Sequence, residues 1–451
     1  MAELAGAARE LQHAVDRFMR DNGLPSVSAG VVVGRTLAWH VSQGVTDDLS
    51  GTPVDAHTPY RVASITKTFT ATAIVQLRDR GALALDDPLV EHLPEFAAVG
   101  QPFGAIELVT LRHLLQHTSG LQGDVPNRDP REWTCLSTAD TLASLPEVAV
   151  VIRPQTAFKY SNLGYRLLGE VVARAGRCSY FDYLQSRLLE PLELRGSGPA
   201  PVDRAAAVGH YRVPYSDRVR PAPAIDPALT GGEGGLWCSL HDLARWLTFH
   251  LASTDEPARE ASVVSRDSRR ELQRPTFLAD DTWSAAQGLG WAISRVADRT
   301  LVGHTGFVGG FESDCVFSPQ ERLGVVVLCN GVCVRRPREL SLELLEHARR
   351  VVEPEPAGSL VDESTRAVAE LLGPYVSDAG TELVISGGAG SLLCSAPRAP
   401  GAVELVATED PLVFRVREGR AQGELARFWR SPAGRVEGVN LAGYPFRRDP
   451  Q

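Results

Sequence analysis

The sequence predicts a mixed α/β domain followed by a small antiparallel β domain, and three observations carry that reading. Alternating apolar segments near the start and around residues 300–330 enclose a long, mostly helical stretch. The run Glu353-Pro354-Glu355-Pro356 reads as a stiff linker. Beyond it, short alternating segments recur with glycine between them. Boundaries are therefore expected at 1–352, 353–358 and 359–451, and 451 residues exceed one ordinary core.

The opening MAELAGAARELQHAVDRFMRDNG forms an amphipathic helix, with Leu4, Leu11, Val15 and Phe18 on one stripe. Ser26–Val33 and Thr36–Val41 alternate around Gly34-Arg35, the pattern of a hairpin. Residues 64–80 are helical, with Phe69, Ala73 and Leu77 on one face and Gly81 as the stop. From about 86 to 260 the pattern stays mostly helical between loops. Pro221–Gly235 is the loosest of these, and its GGEGG run is expected to be mobile or closely approached. Thr300–Gly303, Phe311–Phe317 and Leu323–Cys329 read as strands, and a helix follows from about Pro337 to Val352. A short helix near 362–373 precedes the β-rich part, where Glu382–Ile385, Val403–Ala407, Leu412–Val416 and Leu425–Trp429 alternate most clearly.

A formal charge of −9 leaves no basic footprint, which argues against nucleic acid or an anionic membrane surface as partner. No apolar run approaches the ~18–20 residues of a membrane span. The first residues lack a basic start followed by an apolar core, so the chain is expected in the cytoplasm. Cys135, Cys178, Cys238, Cys315, Cys329, Cys333 and Cys394 form no CxxC pair, in keeping with a reducing compartment. Cys329 and Cys333 read better as buried thiols than as metal ligands. The glycine runs Gly231–Gly235 and Gly387–Gly390 lack the strand-to-helix setting of a nucleotide site, and neither cofactor nor metal is expected.

Only two of the 46 basic residues are lysines, Lys67 and Lys159. Arginine cannot give up its proton near neutral pH, whereas a desolvated lysine can. Ser64-Ile65-Thr66-Lys67 puts an amine one helical turn from a hydroxyl, which supplies a nucleophile with a neighbouring base. Taken alone, the same residues also read as a capping serine and a solvated lysine. Tyr160-Ser161-Asn162 stands in a loop before a helix. A tyrosine sharing its proton with two nearby cations can act as phenolate or proton shuttle, and an amide two residues on can hold a carbonyl. The plain alternative is an aromatic packed at a helix entry, with Asn162 as cap. His304-Thr305-Gly306 lies on an apolar strand, where Gly306 permits a close backbone approach and Thr305 offers a hydroxyl; the alternative is a polar strand end with His304 at the surface.

Together and in this order, SxxK, YxN and HTG resemble the three motifs of the penicillin-recognising serine hydrolases, with histidine where many members carry lysine. The likeness is to the branch of class C β-lactamases, related esterases and D-aminopeptidases, and it covers about residues 10–350. Leu111-Arg112-His113-Leu114-Leu115-Gln116-His117-Thr118-Ser119-Gly120-Leu121 resembles a structural segment of that branch, as does Gly234-Gly235-Leu236 followed by Ser239-Leu240-His241-Asp242-Leu243. The resemblance implies an antiparallel sheet flanked by helices plus an all-helical region, the β-lactamase/transpeptidase-like fold. It implies Ser64 as nucleophile, Lys67 as its base, Tyr160 as proton carrier and His304 as the group that tunes Tyr160. Asn162 and Thr305 would hold substrate, and the N–H groups of Ser64 and Phe307 would form the oxyanion hole. Within that segment His117 is read as structural.

The added C-terminal module, expected as a small sheet or lipocalin-like barrel, makes the chain similar to penicillin-binding-protein-type thioesterases of nonribosomal peptide pathways. Those enzymes release and head-to-tail cyclise a peptide from a thioester on a carrier protein, and set a C-terminal arginine against substrate; Arg447 and Arg448 are the candidates here. Trp237, after the GGEGGL run, reads equally as cleft rim or as core. A cytoplasmic esterase or D-amino-acid peptidase using water is the alternative function, and an inactive binding or sensor protein on the same fold is the alternative from another class.

Overall fold

The computed structural model describes residues 4–448 apart from 5, 48–50, 127–135, 202–204, 214–217, 224–230, 252–257, 297–298, 353–368, 378–381, 389–390, 396–401, 418–420 and 442. The chain divides into two compact units, Met1–Val352 and Glu353–Gln451. Cys135, the linker expected at 353–358 and most of the helix expected near 362–373 lie outside the described residues.

The first unit is built on an eight-stranded antiparallel sheet. Its strands are β1 (Ser26–Val33), β2 (Thr36–Gly44), β3 (Phe277–Leu278), β4 (Ala285–Gln287), β5 (Ala292–Val296), β6 (Arg299–Val308), β7 (Phe311–Ser318) and β8 (Leu323–Cys329). They lie in the order β2-β1-β8-β7-β6-β5-β4-β3. β1 and β8 are apolar at nearly every position because both faces of the sheet are covered. On one face Val27, Ala29 and Val31 pack with Leu11, Val15 and Phe18 of helix α1 (Ala8–Asn22) and with Leu340 and Leu344 of a helix at Pro337–Val351. The opposite face joins a larger core that holds helices α2 (Thr66–Asp79), α3 (Asn162–Gly176) and α4 (Leu240–His250).

Helix α2 has no solvent face: every residue from Thr66 to Leu77 is buried. Phe69 stacks on Trp246 of α4 at 3.9 Å, and the Trp246 indole N–H donates to Thr68 Oγ1 at 3.0 Å. A helix held on all sides is a rigid mount for any group at its start. It ends at Asp79, with Gly81 in the left-handed region two residues on.

The second unit is a closed barrel of eight antiparallel strands, from β9 (Gly373–Ser377) to β16 (Tyr444–Arg448), and β16 seals against β9. Tyr375, Ile385, Leu405, Phe414, Phe428, Val439 and Phe446 fill its interior, so the alternation seen in the sequence is the in-and-out pattern of a barrel wall. The expected fold, a sheet with helices plus a small C-terminal antiparallel β domain, is the one found, and of the sheet and barrel expected for that domain it is the barrel.

Candidate active site

Ser64 is the middle residue of a 3-10 turn, Ala63–Ile65, that runs into α2. Ala63 is held at φ +48, a conformation a residue with a Cβ adopts only when its surroundings enforce it. The enforcement is visible. The Val62 carbonyl accepts from Ser313 Oγ of β7 at 3.0 Å, and the Val62 N–H donates to the Leu236 carbonyl at 3.1 Å.

Lys67, one turn on, is 0% exposed. Its Nζ lies 3.0 Å from Ser64 Oγ, 2.9 Å from Asn162 Oδ1 and 2.6 Å from the Glu233 carbonyl oxygen. Both carbonyl oxygens can only accept. A neutral amine here must give them its two N–H bonds, and its lone pair is left facing the Ser64 hydroxyl. The two acceptors thus orient the base toward the nucleophile's proton, which is what general-base activation of a serine requires.

Asn162 can do this because Ser161 takes the capping role at the start of α3. Ser161 Oγ accepts the Gly164 N–H at 3.0 Å and donates to the Gln122 carbonyl at 2.6 Å. The cap expected as an alternative for Asn162 belongs to its neighbour. Tyr160, 37% exposed, faces Lys67, whose Nζ is 5.0 Å from its ring centroid. The His304 ring centroid lies 6.4 Å from that of Tyr160.

His304 departs from the expectation of two cations around the tyrosine. It is buried, and burial, reinforced by the charge of Lys67, pushes its pKa down to about 3, so the ring is neutral. Nδ1 lies 2.7 Å from the Thr305 carbonyl, which can only accept, so Nδ1 carries the proton and Nε2 keeps a lone pair. His304 is therefore a hydrogen-bond acceptor at Nε2, and Tyr160 is flanked by one cation.

Beyond Gly303, β6 pairs with β7 on one side but no longer with β5, so residues 304–308 present an open strand edge among the described residues. Val308 and Phe311 flank a two-residue turn, Gly309-Gly310, with φ +49 and +78, the geometry of a type I′ hairpin. In such a hairpin the flanking pair exchanges hydrogen bonds and the next pair inward does not. The N–H of Phe307 consequently points to the open edge, where an oxyanion-hole donor must point. Its side chain is 58% exposed, and Thr305 is exposed on the same face of the strand. Gly306 serves the chain itself rather than a ligand: a Cβ there would stand 2.2 Å from the Val62 carbonyl oxygen. A bare backbone at 306 lets β6 press against the turn that carries Ser64.

Trp237 is half-buried, pairs with Arg61, and meets Phe311 edge-to-face at 5.7 Å, with the Arg61 guanidinium 5.0 Å over its ring. It packs against the core while staying partly exposed. Arg447 is exposed on β16; Arg448, on the same strand, donates to the carbonyls of Glu370 and Leu372 at 2.7 Å each and so braces the barrel wall.

Sequence reasoning did not single out Glu233, yet it is built into the site. Arg166 of α3 donates to Glu233 Oε1 from Nε at 2.8 Å and from Nη2 at 2.6 Å, and Gly231 N–H reaches Oε2 at 3.2 Å. That grip fixes the loop whose carbonyls receive Lys67 and Thr70. The GGEGG run is closely approached: a Cβ on Gly232 would stand 2.6 Å from the Tyr165 carbonyl oxygen. Its glycines, flagged in the sequence, were the available signal.

No cluster of three or more His, Cys, Asp or Glu side chains able to hold a metal ion occurs among the described residues, and no described helix is long and apolar enough to cross a membrane. The described cysteines are free thiols, all buried except Cys178.

Residues 11–347 match the family model described as Beta-lactamase. Penicillin-binding protein 4 of Amycolatopsis lactamdurans is 29% identical over 378 residues, 82% of this chain and 97% of the relative. Beta-lactamase-like protein 2 of Dictyostelium discoideum is 32% identical over 285 residues, and there the match spans 62% of this chain and half (50%) of the relative's length. Among solved structures, the octameric penicillin-binding protein homologue from Pyrococcus abyssi superposes with a TM-score of 0.66 at 23% identity, covering 97% of this chain and 99% of its own. SurE superposes with a TM-score of 0.58 at 25% identity, covering 99% and 100%. With the motif residues assembled on that fold and three quarters of the sequence within the family model, the chain belongs to the beta-lactamase family, whose relatives include penicillin-binding proteins.

Proposed function

We propose that the chain is a serine acyl-transfer enzyme that works through an acyl-Ser64 intermediate, releasing a peptide from a thioester by head-to-tail closure. The observation that carries the first half is the placement of Lys67, whose Nζ lies 3.0 Å from Ser64 Oγ and whose two carbonyl acceptors would hold the N–H bonds of the deprotonated amine, leaving its lone pair for Ser64. Ser64 Oγ gives its proton to Lys67 Nζ and attacks the acyl carbon. The oxyanion is received by the N–H groups of Ser64 and Phe307, a kind of donor worth roughly 10²–10³ in rate. As the C–S bond breaks, Tyr160 gives its proton to the departing thiolate and is left as the phenolate. Tyr160 then takes a proton from the attacking amine, and Lys67 returns one to Ser64 Oγ as the acyl–oxygen bond breaks. Thr305 holds the substrate backbone, and His304 Nε2 accepts a hydrogen bond at the tyrosine.

The choice of a peptide thioester with a D-configured end is supported by the two-unit likeness to SurE, a structure of which contains D-Leu. The eight-stranded barrel adds to it, being more than minimal acyl-enzyme chemistry needs. The substrate would be carried by a partner protein in the cytoplasm, with one of Arg447 and Arg448 against it. A second reading, hydrolysis by water as in an esterase or D-peptidase, is favoured by the exposure of Tyr160 and Phe307. The test is intact-protein mass after incubation with a short peptide thioester ending in a D-residue, beside Ser64→Ala. An adduct on the parent alone, with cyclic peptide released, supports the cyclase. Linear acid alone moves the assignment to the hydrolase, and no adduct refutes Ser64 as nucleophile.

A further inference from the structure

We propose that His117 is a positioning residue for Tyr160, hanging the peptide on both sides of that tyrosine from a single side chain and its carbonyl. The inference rests on the reading of Tyr160 as proton carrier. Read from the sequence alone, His117 has only a place in a structural segment. In the fold it is 1% exposed and held at φ +56, left-handed for a residue that is not glycine. Its carbonyl accepts the N–H of Lys159 at 2.7 Å, and its Nδ1 accepts the N–H of Ser161 at 3.1 Å. The residues before and after Tyr160 are thus anchored to the same point. Its ring also lies 4.2 Å from the Tyr160 ring at 31°, and it is walled in by Phe158 at 5.8 Å and Tyr165 at 5.0 Å.

The imidazole is a poor choice for packing alone. Because Ser161 donates to Nδ1, the neutral ring carries its proton on Nε2, and that atom is buried with no hydrogen-bond partner among the described residues. A buried unpaired donor is a cost that a phenyl ring would avoid. What a phenyl ring lacks is the Nδ1 acceptor, the one hydrogen bond the imidazole makes among the described residues. Burial, with the charge of Lys67 adding to it, holds the ring neutral and keeps that lone pair available. Tyr160 is 37% exposed, and the bonds from Ser161 Oγ and the Asn162 N–H hold only the peptide that follows it, whereas His117 holds the peptide on both sides.

The test is a double-mutant cycle between His117→Phe and Tyr160→Phe, with turnover of an activated acyl ester and acylation of Ser64 measured separately, and His117→Asn as the conservative variant. His117→Phe is expected to lower kcat roughly 10- to 100-fold, the scale of an ångström-sized misplacement, and to leave KM within about threefold. In the Tyr160→Phe background it should cost less than about threefold more, because its effect runs through the tyrosine. His117→Asn, which keeps an acceptor and tolerates positive φ, should recover most of the loss. If His117→Phe does not fold, His117→Ala carries the same cycle. Losses that multiply in the Tyr160→Phe background, or a His117→Phe enzyme at parent rate, overturn the proposal. A Tyr160→Phe enzyme with parent activity instead overturns the reading of Tyr160 beneath it.

Discussion

Asn162→Leu tests the orientation of the base directly. Once Lys67 has given up a proton, two carbonyl oxygens claim its two remaining N–H bonds, and the lone pair has one direction left, toward Ser64. Without Asn162 Oδ1 the amine has two N–H bonds for Glu233 and Ser64, so its favoured arrangement points an N–H at the nucleophile. Leucine is close in size to asparagine, and the change falls at the first position of α3, so packing alters little. A hydrogen bond to such a group is worth about 1.5–3 kcal/mol, which converts to roughly 10- to 150-fold in the rate of acylation. The assay is the burst of leaving group from an activated ester, with the Ser64 adduct quantified by mass. Asn162→Asp is the companion: it keeps an acceptor but adds a negative charge 2.9 Å from the amine. An opposite charge beside the amine opposes its role as the free base that takes the serine proton, so acylation is expected to slow here as well. Asn162→Leu acylating within about threefold of the parent, or Asn162→Asp acylating at the parent rate, would refute the argument.

Glu233→Gln weakens the Arg166 clamp while keeping the backbone acceptor; acylation is expected to slow roughly tenfold, with about 1–3 kcal/mol lost in urea unfolding. Gly306→Ala forces a methyl to 2.2 Å from the Val62 carbonyl oxygen, and a displacement of the Ser64 turn should cost roughly 100-fold in acylation, with about 1–3 kcal/mol of stability. Burial holds His117, His250 and His304 below the ordinary histidine range, His304 at about 3. Below about pH 6.5 the unfolded chain takes up protons that the native state refuses, so stability falls as the pH falls. The raised carboxyls of Glu312 and Asp314 act in the opposite sense but are common to parent and variant, so His250→Phe should flatten the acid-side loss when the two melts are compared across pH. Arg448→Ala loses two hydrogen bonds to barrel carbonyls and should destabilise the second unit by about 1–3 kcal/mol, leaving acylation by a small ester unchanged.

Local signals in the sequence were read well where local chemistry decides. β1 has the expected ends because Gly34-Arg35 can only turn, while β2 runs on to Gly44, past the last clear alternation. The three motifs could be found because their residue types are constrained by chemistry. What escaped is carried by backbone atoms and burial. The carbonyl of Glu233 contributes as much to Lys67 as the side chain of Asn162, but any residue has a carbonyl, and only the fold brings this one to 2.6 Å. The neutrality of His304 likewise depends on enclosure by elements far apart in the chain. Alternation beyond residue 373 announced strands but left sheet and barrel both open, because the pairing of β16 with β9 joins segments some seventy residues apart and periodicity does not report it.

That closure has a consequence for how the second unit is made. A closed wall offers no free strand edge, so no extended peptide can be recruited to it by simple strand addition. The same seam means that protection arrives late in synthesis: until β16 has left the ribosome, β9 and the strand before β16 stand as two unpaired edges. A premature stop ahead of Tyr444 would therefore yield a sticky half-cylinder instead of a slightly smaller barrel, and the defect would be met as aggregation before any loss of chemistry at Ser64.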